Sequence, residues 1–170
     1  MESTFSKQSR NEALDNFKFS KDDCCNISFL QGYFYRDQLS KDDEKLVHKP
    51  DIIKSAKVVK KLMSRYGIDS YVVDREQEGK RQVTKLYITE PESVQRLFLL
   101  QNENKNCDKC ITNYLVGVFV SDGILVDPQK DYHLEFTYTD ENLAKNLLNT
   151  LKFAGFDFKL TQRKSSFAVY

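Results

Sequence analysis

An internal repeat, more than any other feature, limits what this chain can fold into. Cys25 and Cys110 lie 85 positions apart, and the same offset relates Leu30 to Leu115, Gly32 to Gly117, Phe34 to Phe119 and Asp37 to Asp122. Past a connecting loop that differs by three residues the offset becomes 88. It then relates Ala56 to Ala144, Lys57 to Lys145, Gly67 to Gly155, Asp69 to Asp157 and Arg75 to Arg163. Gly-Ile-Asp stands over Gly-Phe-Asp, and Leu-x-Gly-x-Phe-x-x-Asp over itself, both in chain order. Chance accounts poorly for both, so the chain reads as a duplicated unit. Its 170 residues suffice for one compact pseudo-symmetric domain: a polar leading segment at 1–22, a first half at 23–103 and a second half at 104–170.

Within each half the hydrophobic spacing sets the order of elements. Residues 1–22 form a short leading helix around Asn11–Phe17 or stay loose. Cys24–Asp37 and Cys107–Asp122 are apolar on nearly every side, which predicts buried helices. Gly32 and Gly117 lie in their middles, where a missing side chain lets two backbones approach; the alternative is that each glycine packs on its own sheet. A charged loop precedes a short strand at Leu46–His48. Pro50 stops that strand, and Asp51 is placed to cap a helix carrying Ile52, Ile53, Ala56, Val59, Leu62, Met63 and Tyr66. Ile68–Arg75 and Arg81–Thr89 read as a hairpin, followed by a short helix after Pro91 and a polar linker, NENKN, between the halves. The second half repeats the order: a short strand at Gly123–Pro128, a strand at Tyr132–Thr139, a helix capped by Thr139 or Asp140, and a hairpin turning at Lys164–Ser165. The fold class is therefore α+β, built from duplicated αββαββ units.

The composition excludes several functions. No run of about 18 apolar residues exists to span a membrane, and the first residues lack the apolar centre of a signal peptide. Four cysteines without a secretory signal suit a reducing, cytoplasmic setting. A net charge of +1 is not the footprint of a strongly basic nucleic-acid binder. Any DNA affinity must come from locally arranged cations. Strand alternation supplies a candidate arrangement. It puts Phe156, Phe158 and Leu160 on one face of the last hairpin and Asp157, Lys159, Thr161 and Arg163 on the other. The 88 offset places Asp69, Tyr71, Val73 and Arg75 on the matching face of the first. With Lys80, Arg81, Lys85 and Lys164, these cations can meet phosphates or base edges; the alternative is an ordinary solvated sheet. His133 reads as a surface strand residue, with DNA contact as the second reading. The cysteines admit three readings: buried free thiols, a four-thiolate zinc site, or a redox Cys107-x-x-Cys110 pair. Adjacent Cys24 and Cys25 suit one metal awkwardly, so free thiols are the expectation.

At the two glycine-bearing helices the sequence resembles the LAGLIDADG homing-endonuclease fold. The copies read Leu30-Gln-Gly-Tyr-Phe-Tyr-Arg-Asp37-Gln38 and Leu115-Val-Gly-Val-Phe-Val-Ser-Asp122-Gly123. The run from Cys107 to Gly123, then Val126-Asp-Pro-Gln-Lys-Asp-Tyr-His-Leu-Glu-Phe136, is similar to the second half of the amino-terminal domain of WhiA sporulation and cell-division regulators. The Cys24-Cys25 pair resembles that family's first motif helix. The resemblance implies a pseudo-two-fold monomer whose two antiparallel sheets form a saddle for duplex DNA. It also implies a bacterial, nucleoid-associated regulator with a partner in the transcription machinery, requiring no cofactor for binding. WhiA proteins carry a helix-turn-helix domain after this one; the chain ends at Tyr170 in a strand, so it reads either as a piece of a longer protein that has that second reader or as a stand-alone relative without it. Two departures stand out. WhiA proteins have typically lost the acidic residues that end the motif helices, yet Asp37 and Asp122 stand where nucleases of this fold hold divalent metal. Gln38, conversely, replaces the usual glycine. If the helices pair, the two carboxylates can share Mg²⁺ for phosphodiester cleavage, or each is a solvated helix-end residue. Three functions follow in order: a DNA-binding regulator without nuclease activity, a metal-dependent DNA endonuclease, and a protein-interaction module.

Overall fold

Two glycines let two helices meet backbone to backbone. The computed structural model describes residues 4–103, 107–131 and 133–170. At its centre, helix α2 (Asp23–Tyr33) lies against α5 (Asp108–Asp122), after the leading helix α1 (Thr4–Asn16) and with α3 (Ile53–Ser64) and α4 (Pro91–Gln101) between them in sequence. A Cβ on Gly32 would stand 1.9 Å from the Tyr114 carbonyl oxygen, and one on Gly117 would stand 2.2 Å from that of Phe29. Both values are inside any allowed contact, so the two backbones touch where neither residue has a side chain. Every residue of α2 from Cys25 onward is buried.

Each half adds an antiparallel sheet. In the first, β1 (Leu46–His48), β2 (Tyr71–Glu78) and β3 (Arg81–Ile88) take the order β1-β3-β2. In the second, β4 (Ile124–Leu125), β5 (Leu134–Tyr138), β6 (Leu160–Arg163) and β7 (Ser166–Val169) take the order β4-β5-β7-β6, with α6 (Glu141–Phe153) packed on them. The second half is the αββαββ unit; in the first, no strand matching β4 is found among the described residues. By the offset of 85 its place falls at residues 39–40, at the head of the charged run 40–45, which offers no β-branched or aromatic side chain to a sheet. One core joins α1, α2, α3, β3 and α4 around Phe29, Leu62, Leu86 and Leu97. A second joins α5, β5, α6 and β7 around Val118, Phe136, Leu147 and Val169.

Several sequence expectations need correction. The first motif helix ends at Tyr33, not Asp37, because the Gln101 amide of α4 donates to the carbonyls of Phe34 and Asp37 (3.3 and 2.9 Å) that a longer helix would have used. Asp51 does not cap α3: the N-cap is Ile52, and Asp51 lies 3.5 Å from the buried Arg10 of α1. The leading helix is longer than expected and is seated by Arg10, whose guanidinium donates to the carbonyls of Val120 and Ser121. Strand β2 runs on to Glu78 through a bulge between Val73 and Glu76, where Arg75 has φ 55°. The extra residue breaks the simple alternation that put Arg75 on one face with Tyr71 and Val73. Asp140 caps α6, accepting from the Asn142 amide at 2.7 Å. Part of the expected linker (residues 104–106) and the opening residue of the Tyr132–Thr139 strand lie outside the described residues.

Candidate nucleic-acid interface

The motif helices end at a cavity of about 1030 Å³ that both halves line. Asp37, His48 and Lys49 reach it from the first half, and Asp122, Ile124, Thr137 and Tyr138 from the second. Asp37 and Asp122 thus face one space, but each carboxylate is already engaged. Asp37 shares a 2.6 Å hydrogen bond with Nδ1 of His48, whose ring packs on Tyr33 and Phe34. Asp122 is buried, accepts from the Tyr138 hydroxyl at 3.2 Å and from Ser121 at 3.1 Å, and stands 3.2 Å from the Arg36 guanidinium. Burial pushes the Asp122 carboxyl above its ordinary pKa, against the opposing pull of Arg36 and His48. Arg36 also donates to the Thr137 carbonyl and lies over the Tyr138 ring, so it ties the first half to β5.

Each sheet also carries a cluster of polar and charged side chains. On the first sheet, register places Tyr71 opposite Tyr87 and Val73 opposite Lys85, and the two tyrosine rings stack at 4.9 Å. Glu76 joins this face, accepting from Lys85 at 2.8 Å and from the Tyr87 hydroxyl at 2.5 Å. Those two bonds hold the Glu76 carboxyl below its ordinary pKa, and the bond to Glu76 raises that of Lys85. On the second sheet, buried Glu135 receives both guanidinium nitrogens of Arg163 (2.7 and 2.6 Å), the Thr137 hydroxyl and a ring nitrogen of His133. His133 in turn stacks on Tyr170.

The eight expected DNA-contact residues therefore divide. Lys85, Arg163 and His133 are held by carboxylates. Arg75, Lys80, Arg81, Lys159 and Lys164 are exposed and in no ion pair among the described residues. Sequence reading missed Arg36, His48 and Glu135. For Arg36 a signal existed: its repeat partner is Ser121, so one motif copy has a cation where the other has a hydroxyl. The cysteines, for which free thiols were the expectation and a four-thiolate site an alternative, converge. Cys24, Cys25, Cys107 and Cys110 bring their sulfurs within 4.8 Å of one another at the amino ends of α2 and α5. Cys107 is exposed and Cys24 partly so, which departs from the expectation of buried thiols.

Paired motif helices meeting at glycines, each followed by an antiparallel sheet, define the LAGLIDADG homing-endonuclease-like class. The comparisons place the chain more closely: residues 111–170 match the family model described as the WhiA LAGLIDADG-like domain. The resemblance read from the sequence is borne out: residues 111–170 are similar to that family's model, and the fold of the described residues is that of the WhiA LAGLIDADG domain. It is 33% identical over 98 residues to the probable cell division protein WhiA of Clostridium botulinum (strain Hall), covering 56% of this chain and 31% of that protein. With the namesake from Clostridium novyi it shares 41% over 63 residues, 37% of this chain and 20% of that one. The chain thus spans under a third of the length of these relatives. Among solved structures, the full-length WhiA of Thermatoga maritima superposes with a TM-score of 0.74 at 21% identity, over 98% of this chain and 56% of that one. The N-terminal LAGLIDADG domain of WhiA gives 0.70 at 20% identity, over 99% and 86%. I-DmoI in complex with DNA and Mn gives 0.59 at 12% identity, over 87% and 89%. Among the described residues no helix is long and apolar enough to cross a membrane.

Proposed function

We propose that this chain binds duplex DNA along the outward faces of its two sheets, without cutting it, as the DNA-contacting domain of a WhiA-like cell-division regulator. The observation that carries this reading is the pair of hairpins, on which Arg75, Lys80, Arg81, Lys159 and Lys164 are exposed and in no ion pair among the described residues. Arg75, Lys80 and Arg81 serve one hairpin, and Lys159 and Lys164 the other. Five phosphate contacts would give a slope of log K against log salt of about −4.5. Ion-paired Lys85 and Arg163 add little to that slope, since their charge is already matched. The acidic pair fits a binding role better than a shared Mg²⁺. That ion takes oxygen ligands and keeps several waters, whereas a guanidinium already stands 3.2 Å from Asp122 and an imidazole already bonds Asp37. Fluorescence anisotropy with a pool of labelled genomic duplexes, over a salt series, tests the reading. Wild type should bind, and Lys80→Ala with Arg81→Ala should reduce the slope by about 2. No binding even at low salt would leave the protein-interaction reading in its place.

One observation favours a second reading, a divalent-metal-dependent DNA endonuclease: Asp37 and Asp122 line the same cavity. Incubation with plasmid and Mg²⁺ or Mn²⁺ separates the two. Intact DNA accompanied by binding supports the regulator, and cleavage abolished by Asp37→Asn or Asp122→Asn supports the nuclease.

A further inference from the structure

The end of the helix pair remote from the acidic cavity carries a second constellation, the four cysteines. We propose that Cys24, Cys25, Cys107 and Cys110 bind one zinc ion as a tetrahedral thiolate site that clamps the two halves together. The geometry comes first. Cys107 Sγ lies 3.2 Å from Cys110 Sγ, 3.4 Å from Cys25 Sγ and 3.5 Å from Cys24 Sγ, and all four sulfurs fall within 4.8 Å of one another. A zinc ion with Zn–S bonds of about 2.3 Å holds its four sulfurs about 3.8 Å apart, inside that range. All three separations exceed the roughly 2.05 Å of a disulfide. Among the described residues this is the one group of three or more ligating side chains gathered tightly enough for an ion.

Electrostatics agree. Cys24 and Cys25 sit in the first turn of α2, Cys107 is the N-cap of α5 and Cys110 lies in its first turn, so two helix amino termini direct their positive ends at the sulfurs. Four thiolates gathered this closely repel one another, a conflict that a divalent cation removes. On binding, the four thiols release their protons to solvent, and the site keeps a net charge of −2. Because two ligands come from each half, the ion cross-links segments 82 and 83 residues apart. It stabilises the glycine contact without touching the proposed DNA surface.

Metal analysis of the purified full chain, followed by zinc titration of the reduced, metal-free protein against a chromophoric chelator, tests the proposal. The expected result is about one zinc per chain with Kd below about 50 nM, the weak end of structural sites. Cobalt in place of zinc should give the visible bands of tetrahedral thiolate coordination. Cys107→Ser is the discriminating variant. Serine is a favoured N-cap, so α5 keeps its start; helicity should be retained while zinc affinity falls at least tenfold. Four free thiols with zinc binding weaker than micromolar would overturn the proposal, as would iron as the sole bound metal or a mass reduced by the hydrogens lost to disulfides.

Discussion

The Arg36 guanidinium crosses from one motif copy to the other and stands 3.2 Å from the Asp122 carboxylate, a contact for which the repeat supplies no symmetric twin. Arg36 is half exposed while Asp122 is buried, so water weakens the cation's help but not the cost of burying the anion. That is why the Asp122 pKa moves up from 3.8 despite its partners. Between 3.8 and the raised value the folded state holds more protons than the unfolded chain, so this group's contribution to stability falls as pH rises through that window and stays low above it. Asp122→Asn should therefore raise Tm at pH 7 by about 2–4 °C, the response to about 1 kcal/mol in a chain of this size. The gain should vanish toward pH 3. Thermal denaturation followed by circular dichroism across pH 3–8 measures it; an equal or lower Tm for the variant at pH 7 would show that Arg36 fully offsets the burial.

The glycine contact allows a sharper test of the helix pair. A methyl group on Gly32 meets the backbone oxygen of Tyr114, which no side-chain rotation can move aside. Gly32→Ala must push the helices apart, beyond the usual 1–3 kcal/mol of overpacking, and should lower Tm by more than about 6 °C or prevent folding. Gly79→Ala is the control. Its φ is +60° and nothing lies within 4 Å of the added carbon, so only the left-handed backbone opposes it, at about 1 kcal/mol. Similar losses for the two variants would mean that the close approach is unimportant.

How far the sequence revealed this molecule depends on the range of each interaction. Strand β1, the Lys164–Ser165 turn and the Asp140 cap follow from local patterns and appear where those patterns put them. The early end of α2 does not, because it depends on Gln101, some 64 residues from Asp37. The unpaired status of a cation is equally non-local: Lys85 and Lys80 look alike in sequence, but Glu76 and Glu78 face only the first. The cysteine cluster was within reach. The offset of 85 makes Cys25 and Cys110 equivalent, and pairing the helices brings equivalent ends together; the adjacency of Cys24 and Cys25 obscured what that symmetry required.

Glu135 links stability to the proposed DNA surface. Burial alone would raise its pKa, but bonds from His133, Arg163 and Thr137 more than compensate, and the net shift is downward. Its stabilising contribution is present above the ordinary glutamate pKa of 4.5 and is lost as pH falls through the lowered value. Glu135→Gln should therefore lower Tm at pH 7 by about 2–4 °C, for about 1 kcal/mol of lost charge-assisted bonding. The difference from wild type should close below pH 4.5. On the DNA side the sign reverses. The substitution removes an anion from the outward face and frees Arg163 for phosphate, so affinity at low salt should increase by about 3- to 10-fold and the gain should fade near 0.5 M salt. A variant that loses stability while gaining DNA affinity would place the second sheet's outward face on the duplex. Weaker binding in step with weaker folding would move the DNA contact elsewhere on the molecule.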